Sequence, residues 1–342
     1  MAIPLRCSRA SSILLTTTLL LALIDATPAL AQISATGEVS PAYGGGDVWN
    51  LGNNDLIVGA AGVGELSIEG GTVEVLETTT IGNQGTVTLV DGWFRSETID
   101  HTQGGTFDFL GGSLRVDTFN GDFTNQGGTL VVGHTLPDST TRGGTPREFI
   151  GITTVNGDYT QQSGATMTID INAYAIGSDG PGVANDQLDV AGELVLSGTL
   201  EVTLPDNLIV QDQQYDILDW GTLQGRFTDY NLTDIPGVVV WDLQHLYTTG
   251  VISTRNPGDF NNDRFVGAED LDILLAHWGE TSHPFDFSIG DTSGDGIADQ
   301  ADLDILISNW GEDNNPPTGL IPEPGSLALL GLGGLTLLRR RR

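Results

Sequence analysis

Between residues 64 and 132 apolar and polar positions alternate at period two, in runs that each open on glycine. Gly64-Glu-Leu66-Ser-Ile68 is matched by Gly85-Thr-Val87-Thr-Leu89 and Gly105-Thr-Phe107-Asp-Phe109, and a partial copy opens at Gly128-Thr-Leu130-Val-Val132. The opening glycines are 21, 20 and 23 residues apart. Inside each full copy another glycine (Gly71, Gly92 or Gly112) marks a corner before a second run, which makes the unit strand-turn-strand. A repeat of about 20 residues with two short strands predicts a parallel β-solenoid, each coil burying its face on the next. A β-sandwich built from meanders satisfies the same alternation and is the competing reading. A looser echo joins Phe119-Asn120-Gly121-Asp122-Phe123-Thr124-Asn125 to Val155-Asn156-Gly157-Asp158-Tyr159-Thr160-Gln161, and 186–204 alternates strongly. Residues 137–146 and 177–182 read as surface loops. The stretch from Tyr215 to Val251 is expected to close the open end of the stack.

After Asn256-Pro257 the period becomes helical. Leu271, Leu274, Leu275 and Trp278 fall at i, i+3, i+4 and i+7, as do Leu303, Leu306, Ile307 and Trp310. Gly279 and Gly311 stand where helices end. The two apolar faces are expected to pack together, Trp278 beside Trp310. Each stripe follows an acidic loop that carries oxygen side chains at positions 1, 3, 5 and 12. These are Asp259, Asn261, Asp263 and Asp270 in the first loop, and Asp291, Ser293, Asp295 and Asp302 in the second. That spacing wraps a hard cation and predicts two calcium ions. At position 6 the sharp turn favours glycine; the second loop has Gly296 there and the first has Arg264. Three carboxylates stand in the first loop and four in the second, Asp299 included, so the first site is expected to be weaker.

No helical pattern precedes either loop. This duplicated loop-helix arrangement, about 258–312, resembles the type I dockerin domain, with a small all-α calcium module as its implied fold. The resemblance implies that Asp259, Asn261, Asp263, the Phe265 carbonyl and Asp270 hold one ion. Asp291, Ser293, Asp295, the Ile297 carbonyl and Asp302 would hold the other, Asp299 contributing at position 9, where the first loop has Gly267 and needs a water. It also implies a docking partner, either cohesin-like or another envelope protein. Positions 10 and 11, where the family carries paired hydroxyls, are Ala268-Glu269 and Gln300-Ala301 here. Residues 150–255 resemble autotransporter-like β-repeat proteins.

The two ends read as addresses. Residues 1–31 carry Arg6 and Arg9, an apolar stretch from Ile13 to Ile24 and a cleavage site Ala29-Leu30-Ala31, which predicts an export signal. At the other end Pro322-Glu323-Pro324 precedes a glycine-leucine segment, 325–338, and then Arg339 to Arg342. This order resembles the PEP-CTERM sorting signal, implying transient membrane contact through 325–338, an exosortase-type enzyme that removes the tail, and release to the surface or extracellular matrix. The expected organisation is therefore a signal at 1–31, a β-solenoid at 32–255, the calcium module at 256–313 and the sorting tail at 314–342.

Composition narrows the function. Against 45 acidic residues stand 13 basic ones, for a formal net charge of −32, and there is no lysine. Such a chain repels nucleic acid and anionic membrane. The single cysteine, Cys7, lies within the signal, which removes disulfide and thiolate chemistry from the mature chain. Asp100 beside His101 is the nearest approach to an acid-base pair, and neighbours on a strand point to opposite faces. His134, His245, His277 and His283 have no metal spacing. The expectation is a secreted, non-enzymatic, calcium-binding surface or matrix protein with a docking module. The alternative is a carbohydrate-active or carbohydrate-binding subunit that acts on extracellular polysaccharide and is tethered through that module.

Overall fold

The computed structural model describes residues 32–133, 151–171, 185–204, 213–235 and 239–312. The signal, the sorting tail, His134 and the loops at 137–146 and 177–182 lie outside the described residues. The chain is mainly β. Among the described residues, seventeen strands form one hydrogen-bonded sheet and three more form a small second one.

Glycine spacing becomes strand register. Gly64–Ile81 runs parallel to Gly85–Asp100, with Gly64 opposite Gly85 and Val73 opposite Phe94. Gly85–Asp100 in turn runs parallel to Ser113–Asn120, with Phe94 opposite Leu114. Parallel pairing continues through Ile152–Asn156, Gln187–Leu196 and Leu218–Gly225. Equivalent positions of successive copies therefore stack, and Val73, Phe94 and Leu114 are all fully buried. The corner glycines Gly71, Gly92 and Gly112 have φ of +77°, +85° and +70°, where a β-carbon is disfavoured. At Gly92 a β-carbon would also meet the Gly71 carbonyl oxygen at 2.5 Å.

The inward faces form one core, with an aromatic column along it. Phe119 stacks on Phe123 at 4.5 Å between ring centroids, and Tyr159 follows Phe123 at 5.1 Å. The echo between 119–125 and 155–161 is literal pairing: Val155 lies opposite Phe119, Tyr159 opposite Phe123 and Gln161 opposite Asn125. The partial copy at Gly128 sits elsewhere than its sequence alignment suggests. Thr129 pairs with Ser113 rather than Thr106, and the strand Phe123–Asn125 lies against Thr106–Phe109 instead. Both halves of the unit open on glycine, so the alternation permits either register. Asn125 fixes it by turning inward and bonding the Gly128 N–H at 2.9 Å and the Gly128 carbonyl at 3.0 Å.

One polar cluster is sealed within this body. Asp186 is fully buried; its carboxylate accepts from the Gly151 N–H at 2.9 Å and the Asp170 N–H at 3.1 Å. The Asp170 carboxylate is itself bonded by the Thr203 hydroxyl. Burial, reinforced by the charge of Asp170, pushes the Asp186 carboxyl up to about 8.

The 215–251 stretch divides. Leu218–Gly225 is another parallel rung, whereas Gln214–Asp216 and Val240–Asp242 flank Val251–Arg255 in the small antiparallel sheet. The buried Arg255 guanidinium then meets Asp242 at 2.7 Å and the Phe260 carbonyl at 3.2 Å. The acidic loops are thus anchored directly to the β body. Helices Ala268–Ala276 and Gln300–Ser308 follow the two loops. No described helix is long and apolar enough to cross a membrane.

Candidate metal centre

The two loops are built alike, from the carboxylates outward. At position 1, Asp259 accepts from the N–H groups of Asp263 at 3.2 Å and Arg264 at 3.0 Å. Asp291 accepts from Gly294 at 2.8 Å and Gly296 at 2.9 Å. At position 12, Asp270 accepts from Phe260 at 2.7 Å, Asn261 at 3.2 Å and Gly267 at 2.8 Å. Asp302 repeats this with Thr292 at 2.9 Å, Ser293 at 2.8 Å and Asp299 at 2.8 Å. Because Asp270 and Asp302 also open their helices, each holds the loop closed and satisfies N–H groups at the helix start.

The remaining positions complete each ring unequally. Asp263 and Asp295 accept from the N–H groups of Phe265 at 2.8 Å and Ile297 at 2.9 Å, which orients both backbones. Asn261 bonds Asp263 at 3.0 Å, and the Ser293 hydroxyl reaches Asp291 at 3.3 Å. Asp299 caps the second helix, accepting from the Ala301 N–H at 2.7 Å, so one of its oxygens is engaged away from the loop. Among the described residues no three His, Cys, Asp or Glu side chains converge closely enough to hold an ion by themselves. A cation held by either loop would therefore need Asn261 or Ser293 and a backbone carbonyl as well.

The residues fit a hard cation. Every donor is oxygen, and Asp259, Asp270, Asp291 and Asp302 are buried. Burial pushes the Asp259 carboxyl up to about 6, with Asp270 and Asp263 adding to the rise. Burial likewise pushes Asp291 up to about 6, with Asp302 adding to it. Buried carboxylates crowded in this way are stabilised by a divalent ion, which supplies the charge that Arg255 alone does not.

Backbone conformation separates the two loops further. In the second, positions 4 and 6 are Gly294 and Gly296, both at φ +80°; in the first they are Asn262 at +60° and Arg264 at +71°. A side chain in that region costs roughly 1–2 kcal/mol. Arg264→Gly is therefore expected to tighten the first site about fivefold, from a gain of roughly 1 kcal/mol, while leaving the second unchanged. Calorimetric titration of both sites checks this, and an unchanged or weaker first site would count against it.

The packing of the helices differs from the face-to-face arrangement expected. Only Leu274 and Leu306 of the two stripes are fully buried; Leu275, Trp278, Ile307 and Trp310 are 54%, 45%, 58% and 48% exposed. The helices end at Ala276 and Ser308, so Trp278 and Trp310 lie beyond them and leave the stripe. Leu274 and Leu306, with Leu271 and Leu303 packed against them, share the core with Val266, Ala298, Phe260, Phe287 and Ile289 from outside the helices. The halves interlock through the glycines after the helices, Gly279 at φ +82° and Gly311 at +83°. The Gly279 N–H donates to Ala298 of the second loop at 2.7 Å, and the Gly311 N–H to Val266 of the first at 2.9 Å.

Elsewhere the sequence candidates do not assemble. Asp100 accepts from Thr102, whose N–H is at 3.0 Å, while the His101 ring lies 5.7 Å from that of Phe119 and its buried Nδ1 has no partner. His277 pairs with Glu280 at 2.9 Å, His245 precedes a four-residue helix, and His283 lies on the Tyr247 ring.

Comparison with known proteins adds one match. Residues 320–342 match the PEP-CTERM protein-sorting motif. This motif indicates an exported protein sorted to the cell envelope and implies processing by an exosortase-type enzyme. No curated protein and no solved structure matches the chain.

Proposed function

We propose that this chain is a non-enzymatic, calcium-binding structural and adhesion protein of the cell surface or extracellular matrix. Its β body is a solenoid that serves as a stalk, and residues 256–312 form a dockerin-like module that binds two calcium ions. The observation that carries the reading is the matched pair of loops, each with buried aspartates at positions 1 and 12 that accept the loop's own N–H groups. The exposed pairs Leu275 with Trp278 and Ile307 with Trp310 support docking, because they give two equivalent apolar faces to one partner or to two. Exosortase-type processing supplies the route outward, and the net charge of −32 suits a cation-rich exterior.

The test is calcium titration of the exported chain, residues 32–312, by native mass spectrometry and thermal denaturation. Two ions should bind, and the midpoint of the transition that includes the two helices should rise with calcium and fall in chelator. A chain that takes up no calcium, or whose Tm is the same with calcium and with chelator, would refute the calcium reading.

A further inference from the structure

The last parallel strand of the β body leaves one edge unpaired. Asp229–Leu232 runs beside Thr199–Thr203 and pairs with no other described strand. The Asp229 N–H donates to the Gly198 carbonyl at 3.1 Å, and the Thr233 N–H to the Val202 carbonyl at 3.0 Å. Along a strand, the N–H and C=O of one residue point to one side and those of the next residue to the other. Asp229, Asn231 and Thr233 therefore face the neighbouring strand, and Tyr230 and Leu232 face outward. Among the described residues nothing bonds the backbone N–H or C=O of Tyr230 or Leu232, so these groups stand open.

A trough lies along this edge. Two hollows of about 290 and 280 Å³ share Leu232 and Phe285, and Tyr230 lines the first of them. Phe285 is held in place by its backbone, the N–H donating to Asp291 at 2.9 Å and the carbonyl accepting from Leu243 at 3.0 Å. Beyond Leu232 the lining turns apolar, with Ile235, Val240 and Trp241. The Trp241 ring N–H donates to the Thr233 carbonyl at 3.0 Å, which fixes that end. Open strand groups beside an apolar hollow suit an extended chain. Its backbone completes the sheet, and every second side chain fills the hollow.

Charge decides which extended chain fits. The charged groups that line these two hollows are Asp229 and Asp234, both exposed, and no described cation lines either. Arg226 lines a third hollow, which adjoins the first at Thr228 and Tyr230, and its guanidinium lies 4.9 Å from the Tyr247 ring centroid. Asp229 alternates with Tyr230 along the strand, so it stands beside the outward side chains that an added strand would present. With a net charge of −32 behind them, these carboxylates repel a second copy of the chain and favour a basic partner.

We propose that this trough binds an extended basic peptide by strand addition. The peptide backbone pairs with Tyr230 and Leu232, and its alternate arginine or lysine side chains meet Asp229 and Asp234. The proposal goes beyond the calcium reading and rests on the open edge of the β body. The experiment titrates the calcium-saturated chain with the capped hexapeptide Ser-Val-Arg-Val-Arg-Ser and follows amide hydrogen exchange. In the free chain the Tyr230 and Leu232 amides should exchange fast, and those of Asn231 and Thr233 slowly. Binding should slow the first pair by about tenfold or more and leave the second pair unchanged. N-methylation of alternate peptide amides should weaken binding by about tenfold in one set and little in the other, because only one set faces the edge. A peptide with glutamate in place of arginine should bind about tenfold more weakly, and Asp229→Asn combined with Asp234→Asn should weaken the arginine peptide about threefold. No binding at millimolar peptide, equal binding of the glutamate peptide, equal loss from either N-methylated set, or unchanged exchange at Tyr230 and Leu232 would overturn the proposal.

Discussion

Asp302→Ala should disorder the second acidic loop even before calcium is considered. The fully buried Asp302 carboxylate is the acceptor for three N–H groups, those of Thr292, Ser293 and Asp299. Alanine leaves these donors without a protein acceptor, the Thr292 N–H in a buried setting and the other two in half-buried ones. Each unsatisfied group costs about 1–3 kcal/mol, and because the three relax together the expected loss is roughly 3–5 kcal/mol. Asp302→Asn keeps one oxygen, which can serve Thr292 and Ser293, and should lose less stability while still losing the ion. Amide hydrogen exchange in calcium-free protein separates the cases: protection at Thr292, Ser293 and Asp299 should fall sharply in the alanine variant and partly in the asparagine one. Unchanged protection in Asp302→Ala would show that this side chain does not hold the loop.

The second large effect is a dependence on pH that originates in the β body, outside the loops. Asp186 has its carboxyl pushed up to about 8 by burial, with Asp170 adding to the rise. Its unfolded value is the ordinary 3.8, so between pH 4 and 8 the folded chain holds a proton that the unfolded chain has released. Stability therefore falls as pH rises through this window, by at most about 1.4 kcal/mol per unit. The penalty is absent below the unfolded value and complete above the folded one. Asp186→Asn should flatten the slope, whatever it does to absolute stability, because asparagine does not titrate. Denaturation midpoints from pH 5 to 8, taken at saturating calcium so that the loop carboxylates stay charged, measure this. Parallel slopes for the two proteins would exclude Asp186 as the source.

Much of the β body was legible because its turns are of nearly constant length. Glycine spacing near 20 residues became the pairing of Gly64 with Gly85 and of Phe94 with Leu114. Where two glycine-led halves looked alike, the pattern failed, and the inward turn of Asn125 decided the register of Gly128. The small antiparallel sheet was not legible either. It joins three-residue strands to Val251–Arg255, and the 214–216 and 251–255 partners are far apart in sequence.

In the acidic region, the carboxylates at positions 1, 5 and 12 that the spacing singled out are ones that accept the loops' own N–H groups. The helical stripes were half right: Leu271, Leu274, Leu303 and Leu306 reach the core, which also takes Phe260, Phe287 and Ile289 from the loops and their connection. A periodicity argument counts only helical residues. Asn262 was also missed as a second left-handed position in the first loop. The buried contact of Asp186 with Gly151 and Asp170 had no local signal at all.

The bond from Gly311 to Val266 has a mechanical meaning, and the Val266 N–H returns it to the Glu312 carbonyl at 3.2 Å. The chain enters the acidic region beside Arg255, which is clamped to Asp242, and leaves it clasped to its own first loop. A pull exerted on the C-terminal end while the β body is held does not run along the helices. It meets the Val266 clasp first and passes through the first loop to the Arg255 clamp. On the calcium reading proposed above, the loop that would close around a cation also lies in the path of the load, and the surrounding calcium would set its rupture force.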